Sequence, residues 1–187
     1  MIDSMDDKTA WERGLTFLQA AYSALENAVQ ADIRQLVDAY ARTKQAAERL
    51  TAGAGGEALC RECAGQCCMN GKYRISGTDA LAIVVAGNRA GVIPDFGQKP
   101  YCPYSTPAGC CFEPSFRPAS CIQFICPALD ELLSTPARDE LAGYESKLAL
   151  LVQQLEQASG LKLALPLLLL AEQLAQPGIA TSITPMR

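Results

Sequence analysis

The sequence predicts a mainly α fold, in which a long N-terminal helix and C-terminal helices flank a loop-rich cysteine cluster. Three observations predict this arrangement. Apolar side chains repeat at alternating steps of four and three near both ends of the chain, as in helices that pack against helices. All nine cysteines lie between those ends. No stretch alternates apolar and polar residues as a half-buried strand does.

The N-terminal segment, residues 7–51, is predicted to form one long helix. Its apolar repeat begins at Trp11, and neither Gly nor Pro interrupts residues 15–51. Asp6 or Asp7 is expected to cap the helix start, and the glycine-rich stretch after it to end it. Such a helix would reach roughly 65 Å. We therefore expect it to pair with another helix over most of its length or to mediate oligomerisation.

The central segment, residues 57–128, is rich in Gly and Pro and is expected to be mostly loop. One short helix is predicted inside it, from Thr78 to Asn88. Ser76 or Thr78 would cap that helix, and Gly91 would follow its end.

The C-terminal segment, residues 129–176, is expected to return to helix. Ser134 and Pro136 form a helix-start signal, and Gly160 is a stop signal. A second, very apolar helix is predicted over 165–176, followed by an irregular tail. The chain thus divides into regions 1–56, 57–128 and 129–187, which we expect to form one domain.

Composition and charge exclude several classes of protein. Hydrophobic residues make up 49% of 187, enough for a core that needs no disulfides. The net charge is −4 without a long basic run, so nucleic acid is not an expected partner. The acidic N-terminus lacks the pattern of a secretory signal, and the longest apolar run, 161–171, is too short to span a bilayer. We expect a cytoplasmic protein with no membrane partner.

The cysteines come in two groups with metal-ligand spacing. The first is Cys60-x2-Cys63-x3-Cys67-Cys68, and five more cysteines follow at 102, 110, 111, 121 and 126. In a reducing compartment, clustered thiols indicate metal or redox chemistry rather than disulfides. The chain has no histidine, which excludes mixed Cys/His zinc sites and imidazole bases. The spacing therefore predicts a metal centre held by thiolates.

The order of these motifs resembles a known family. C-x2-C-x3-CC is followed by KYRISGTDALAIV, then by Cys102, and then by a C-x9-C element with an internal Arg-Pro. This order is similar to that of the YkgJ-type CxxCxxxCC cysteine-cluster family, described as zinc- or iron-chelating or as containing an iron–sulfur cluster. The resemblance covers roughly residues 57–128. It maps the C-x9-C element onto Cys111, Arg117, Pro118 and Cys121.

Spacing and resemblance together define the predicted ligands. The thiolates expected to bind metal are Cys60, Cys63, Cys67, Cys68, Cys102, Cys111 and Cys121, with Cys126 as a further candidate and Cys110 in doubt. Soft thiolates suit zinc and iron–sulfur clusters alike. The apolar, Pro-rich surroundings would shield a cluster from solvent and favour iron–sulfur over zinc. Candidate basic residues near the thiolates are Arg61, Lys72, Arg74 and, favoured by its Arg-Pro element, Arg117.

Three functions follow as expectations. The first is a metal-binding protein that holds an iron–sulfur cluster and has a redox, sensing or accessory role. The second is a zinc-stapled module whose heptad-patterned helices bind a protein partner or a second copy. The third is a protein-modifying enzyme, since a related cluster domain occurs in flagellin lysine N-methylase. The few carboxylates near the cysteines offer little for general acid–base catalysis, and enzymatic activity is left open.

Overall fold

The computed structural model describes residues 6–62, 69, 71–87, 93–98, 101–106 and 109–175. The predicted mainly α architecture is confirmed. Three of the predicted ligands, Cys63, Cys67 and Cys68, lie outside the described residues, as do Gly91 and the predicted C-terminal tail.

The N-terminal segment forms two helices, α1 (Asp7–Ser23) and α2 (Asn27–Gly53), so the prediction of one continuous helix is wrong at residues 24–26. Asp6 caps α1 as expected, since its carboxylate accepts a hydrogen bond from the Thr9 amide at 3.0 Å. Glu26 leaves the helical conformation, with φ −60° and ψ 148°, and α2 begins after it.

Side chains on both sides stabilise this break. The side-chain amide of Gln30 donates to the carbonyl oxygen of Leu25 at 2.8 Å, and the Arg34 guanidinium donates to the Tyr22 hydroxyl at 2.9 Å. The break allows the two helices to pack against different parts of the chain. Helix α1 packs on α4 (Gly77–Val85) and α8 (Leu167–Ala175), whereas α2 packs mainly on α7 (Thr135–Ser159). Packing thus outweighs the helix propensity of the connecting residues.

The helix α7 follows its predicted signals. The Ser134 hydroxyl accepts from the Ala137 amide at 3.3 Å, and Gly160 ends the helix with φ +70°. Part of the predicted apolar seam is used within the chain, where Leu148 and Leu151 pack with Tyr40 of α2.

The central segment contains more short elements than the sequence predicts. They are α3 (Gly56–Glu62), a 3-10 turn (Gly71–Tyr73), α4, an antiparallel hairpin of β1 (Ser105–Thr106) and β2 (Gly109–Cys110), α5 (Ala119–Ile122) and α6 (Pro127–Leu132). Ser105 pairs with Cys110 in the hairpin. The other described residues of this segment are turns and loop, as expected.

The helix α4 begins at the predicted cap but ends early, at Val85. The Ser76 hydroxyl accepts from the Asp79 amide, and the Asp79 carboxylate accepts from the Ser76 amide, which makes a capping box. Gly87, with φ +64°, follows the helix end. The backbone amide of Gly77 donates to the carbonyl oxygen of Leu165 at 2.8 Å, so the start of α4 also binds the chain just before α8.

The larger hydrophobic core lies among α1, α4 and α8 and extends to the cysteine-rich segment. The Tyr104 ring lies between Trp11 at 5.7 Å and Phe112 at 5.1 Å, measured between ring centroids. Cys102 belongs to the same core. Within the described ranges, no helix is both long and apolar enough to cross a membrane.

Candidate metal centre

A buried ion pair joins α2 to α4 beside the cysteines. The Nζ of Lys44 lies 3.1 Å from Oδ1 of Asp79, and the side chains are 0% and 1% exposed. The same oxygen accepts from the Tyr40 hydroxyl at 3.0 Å and the Ala119 amide at 3.3 Å. Burial, and next the charge of Asp79, raise the pKa of Tyr40 well above its usual value, so its hydroxyl stays protonated and donates. Buried charges need such partners, and these contacts hold α2, α4 and α5 together.

Lys44 also orients the loop that contains the Arg-Pro element. Its Nζ donates to the carbonyl oxygen of Arg117 at 2.9 Å. Pro118 follows, and its carbonyl oxygen accepts from the Cys121 amide at 2.9 Å. The turn that presents Cys121 is therefore held by a buried cation.

The Arg117 guanidinium lies between an acid and a thiol. Its Nη1 forms an ion pair with the Glu48 carboxylate. Burial lowers the pKa of Arg117, but the charges of Glu48 and Cys110 and the hydrogen bonds to them outweigh burial and raise it. Its Nε is buried and has no hydrogen-bond partner within the described part of the chain. The guanidinium thus places positive charge beside Cys110, the cysteine that spacing left in doubt.

Cys102 is buried against the backbone of Gly71. A Cβ at residue 71 would lie 2.5 Å from the Sγ of Cys102, so only glycine leaves room for this thiol. Gly71 follows the first cysteine motif in the sequence by three residues. The contact brings the chain just after Cys68 next to the second cysteine group.

Four thiols of the second group influence one another. Burial raises the pKa of Cys121 to about 12, an effect that Arg74 opposes and that the charges of Cys102 and Cys110 increase. The pKa of Cys111 is also raised, first by loss of solvation and then by the charge of Cys110. These thiols therefore form one electrostatic neighbourhood, in which the metal-free thiolates of Cys111 and Cys121 are disfavoured.

A buried hydroxyl borders this neighbourhood. Tyr104 is 2% exposed, and its hydroxyl has no hydrogen-bond partner among the described residues. Burial raises the pKa of Tyr104, and the charges of Cys102, Cys111 and Cys121 raise it further. The protonated hydroxyl is a buried donor in the core that also contains Cys102.

The remaining described cysteines lie on other elements. Cys60 is exposed on α3, and Cys126 is half-buried just before α6. These two helices pack against each other, with Leu129 against Gly56. None of the six described cysteines forms a disulfide.

The other three basic residues proposed to lie near the thiolates have different surroundings. Arg74 lowers the pKa of Cys121 and stacks on the Phe124 ring, so it lies near a predicted ligand. Lys72 instead pairs with Asp7 at 2.8 Å. Arg61 is exposed on α3 and donates to its own helix, at the Glu57 carbonyl oxygen.

Several features fit a thiolate-bound metal group. They are the glycine that makes room for Cys102 and two buried donors, Tyr104 Oη and Arg117 Nε, which have no hydrogen-bond partner among the described residues. Within the described ranges, no three Cys, Asp or Glu side chains already form a group that could hold a metal ion. The donor set thus fits the chemistry of such a group, and the ligand assignments stay predictions.

Sequence reasoning missed the buried contacts beside the cysteines. Lys44 continues the apolar repeat of α2 four residues after Tyr40, and a charged residue at such a seam position is a recognisable signal of a buried partner. The partner, Asp79, is 35 residues away, and no local pattern points to it. The contacts of Cys110 with Arg117, and of Arg117 with Glu48, have no sequence signal either.

Comparison with known proteins leaves the family open. No family model matches the chain, and neither a curated protein nor a solved structure matches it.

Proposed function

We propose that this chain is a metal-binding cysteine-cluster protein that holds an iron–sulfur cluster and has a redox, sensing or accessory role in the cytoplasm. The observation that supports the proposal is the close contact between Gly71 and the thiol of Cys102, a member of the second cysteine group. Gly71 lies three residues after the C-x2-C-x3-CC motif.

The proposed ligands come from both cysteine groups. Cys102, Cys111 and Cys121 would bind together with thiolates of the first motif, because the described residues alone do not complete a site. The full proposed set is Cys60, Cys63, Cys67, Cys68, Cys102, Cys111, Cys121 and Cys126.

The surrounding residues would perform three tasks for this centre. Arg117 and Arg74 would offset the negative charge of thiolates. The apolar core around Cys102 would exclude water. The pair of Lys44 and Asp79 would hold the turn that presents Cys121. When bound, an iron–sulfur cluster supplies one-electron transfer or a Lewis-acidic iron.

Zinc is the alternative occupant, because the same thiolates suit it. A zinc centre would be structural, and the function would then lie in the helices. Part of their seam is used between α2 and α7, where Tyr40 packs with Leu148. Partner binding would therefore need surfaces outside that contact.

The test is metal and acid-labile sulfide analysis of the full chain purified without oxygen, with its visible absorption spectrum. We expect a brown protein that contains iron and sulfide in similar amounts. A colourless protein with stoichiometric zinc would replace the cluster by the zinc alternative. A protein without metal whose thiols pair as disulfides would overturn the proposal.

A further inference from the structure

A small cavity lies where helices α2, α5, α6 and α7 meet. Its volume is about 210 Å³. Part of its wall is apolar and buried, since Ala47, Ile122, Leu133 and Leu148 line it and each is 4% exposed or less. A cavity of roughly 150 Å³ takes a benzene-sized molecule, so this one has room for about seven or eight non-hydrogen atoms.

The positive charge that lines this cavity is already paired. The Nε of Arg138 lies 2.9 Å from Oδ1 of Asp130, and both residues line the cavity. The Nη2 of Arg138 also donates to the Asp130 carbonyl oxygen, so the guanidinium is bound to the end of α6 by two contacts. An anionic ligand would therefore have to compete with Asp130 for this cation.

Two other polar side chains of the cavity are uncommitted. The Glu145 carboxylate is exposed and forms no ion pair with any described residue. The side-chain amide of Gln123 likewise has no hydrogen-bond partner in the described ranges. By contrast, the Tyr144 hydroxyl donates to Glu140 at 2.6 Å. The groups that a ligand can use are thus one negative charge and one amide.

We propose that this cavity binds a small aliphatic primary amine, with its alkyl chain against the apolar wall and its ammonium group at Glu145 and Gln123. An ammonium group has three donors, which suit the carboxylate oxygens of Glu145 and the side-chain carbonyl oxygen of Gln123. Burial of the alkyl chain supplies affinity, and the charge-assisted hydrogen bonds select for a cation. The inference does not depend on the proposed metal centre.

The test titrates the full chain with n-hexylamine at neutral pH and follows the backbone amide resonances by two-dimensional NMR. We expect saturable shifts at cavity residues such as Ala142 and Leu148, with a Kd of about 1 mM for a ligand of this size. Failure of these resonances to saturate would overturn the proposal.

Two further ligands test the charge and the alkyl chain separately. Hexanoate has a similar length but the opposite charge, and it should bind at least about tenfold more weakly because Glu145 repels it. n-Propylamine should also bind at least about tenfold more weakly, because three methylene groups no longer reach the apolar wall. Equal affinity for hexylamine and hexanoate would overturn the proposal.

A charge variant tests the role of Glu145. Glu145→Gln keeps the size of this exposed side chain, and it should bind hexylamine about tenfold more weakly. Glu172→Gln is the matched control, because it makes the same change at an exposed position of α8, a helix that does not line the cavity. Equal affinities of the two variants would contradict the assigned contact.

A filling variant tests whether the amine enters the cavity. Ala142 is exposed on α7 and lines the cavity, so Ala142→Leu should take up part of the volume without disturbing the core. Hexylamine binding should weaken about tenfold. Ala149→Leu, on the same helix but outside the cavity, should keep the wild-type affinity. Unchanged binding in Ala142→Leu would place the amine elsewhere and overturn the proposal.

Discussion

Lys44 and Asp79 form an ion pair of 3.1 Å in which neither side chain reaches solvent. The pair joins α2 to α4, and the same ammonium group donates to the carbonyl oxygen of Arg117. A buried pair of this kind contributes little net stability compared with an apolar pair, but removing one partner leaves a buried charge. The two residues are therefore strongly coupled.

Replacing the lysine tests this coupling. Lys44→Met should lower the free energy of unfolding by about 3 kcal/mol, because the Asp79 carboxylate stays buried without its cation. This is the lower end of the usual range, since Tyr40, Ser76 and Ala119 still donate to that carboxylate. Urea titration measures the change. The double variant Lys44→Met/Asp79→Asn should recover part of the loss.

An exposed pair provides the control for this prediction. Arg138 and Asp130 pair at 2.9 Å, with side chains 41% and 54% exposed. Arg138→Met should cost under about 1 kcal/mol, since solvent screens such pairs. If Lys44→Met cost no more than Arg138→Met, the buried pair would not be holding the two helices.

Two helix caps should differ in their contribution to stability. Ser134→Ala should cost about 1 kcal/mol, the usual loss of an N-cap hydroxyl. Ser76→Ala should cost about 2 kcal/mol, because the Ser76 hydroxyl also donates to Asp79 Oδ2 at 2.8 Å, within the buried network. Thermal and urea unfolding of the two variants give the comparison. Equal costs would show that Ser76 acts only as a local cap.

Two glycines should respond to alanine with opposite signs. A Cβ at Gly71 would lie 2.5 Å from Cys102 Sγ, so Gly71→Ala should lower the free energy of unfolding by about 1–3 kcal/mol through overpacking. Gly143 lies within α7, and a Cβ at this position would enter open space beside the helix. Gly143→Ala should therefore stabilise by about 0.5–1 kcal/mol.

Chemical denaturation of both glycine variants measures these changes, and metal analysis of Gly71→Ala adds a second readout. We expect less bound metal, because Cys102 must move to make room for the methyl group. Wild-type stability and metal content in Gly71→Ala would contradict the close contact.

Loss of one predicted ligand from each cysteine group tests the ligand assignment. Cys63→Ser and Cys121→Ser should each lose bound metal and lower the melting temperature of the loaded protein, because metal binding free energy is also folding free energy. Metal content and a thermal scan measure both effects. Full metal content with unchanged melting in both variants would show that the ligand assignment is wrong.

The sequence alone supports a prediction of ligand types for the candidate site, because ligand types and their spacing are local. C-x2-C elements and the lack of histidine already point to thiolate chemistry. The environment of the thiols could not be predicted. Arg117 forms an ion pair with Glu48, which lies 69 residues earlier in the sequence. The thiol of Cys102 packs against the 3-10 turn at Gly71. Such contacts depend on how the helices pack.

The sequence by itself determined the mainly α class and the starts of α4 and α7, because a cap requires only hydrogen bonds between residues three apart, as at Ser76 and Ser134. Only the tertiary structure decided that the N-terminal helix breaks at residues 24–26 and that Lys44 pairs with Asp79. In both cases, the stabilising free energy comes from contacts between residues that are far apart in the sequence. The hydrophobic surfaces of α1 and α2 face different helices, and a single straight helix could not bury both.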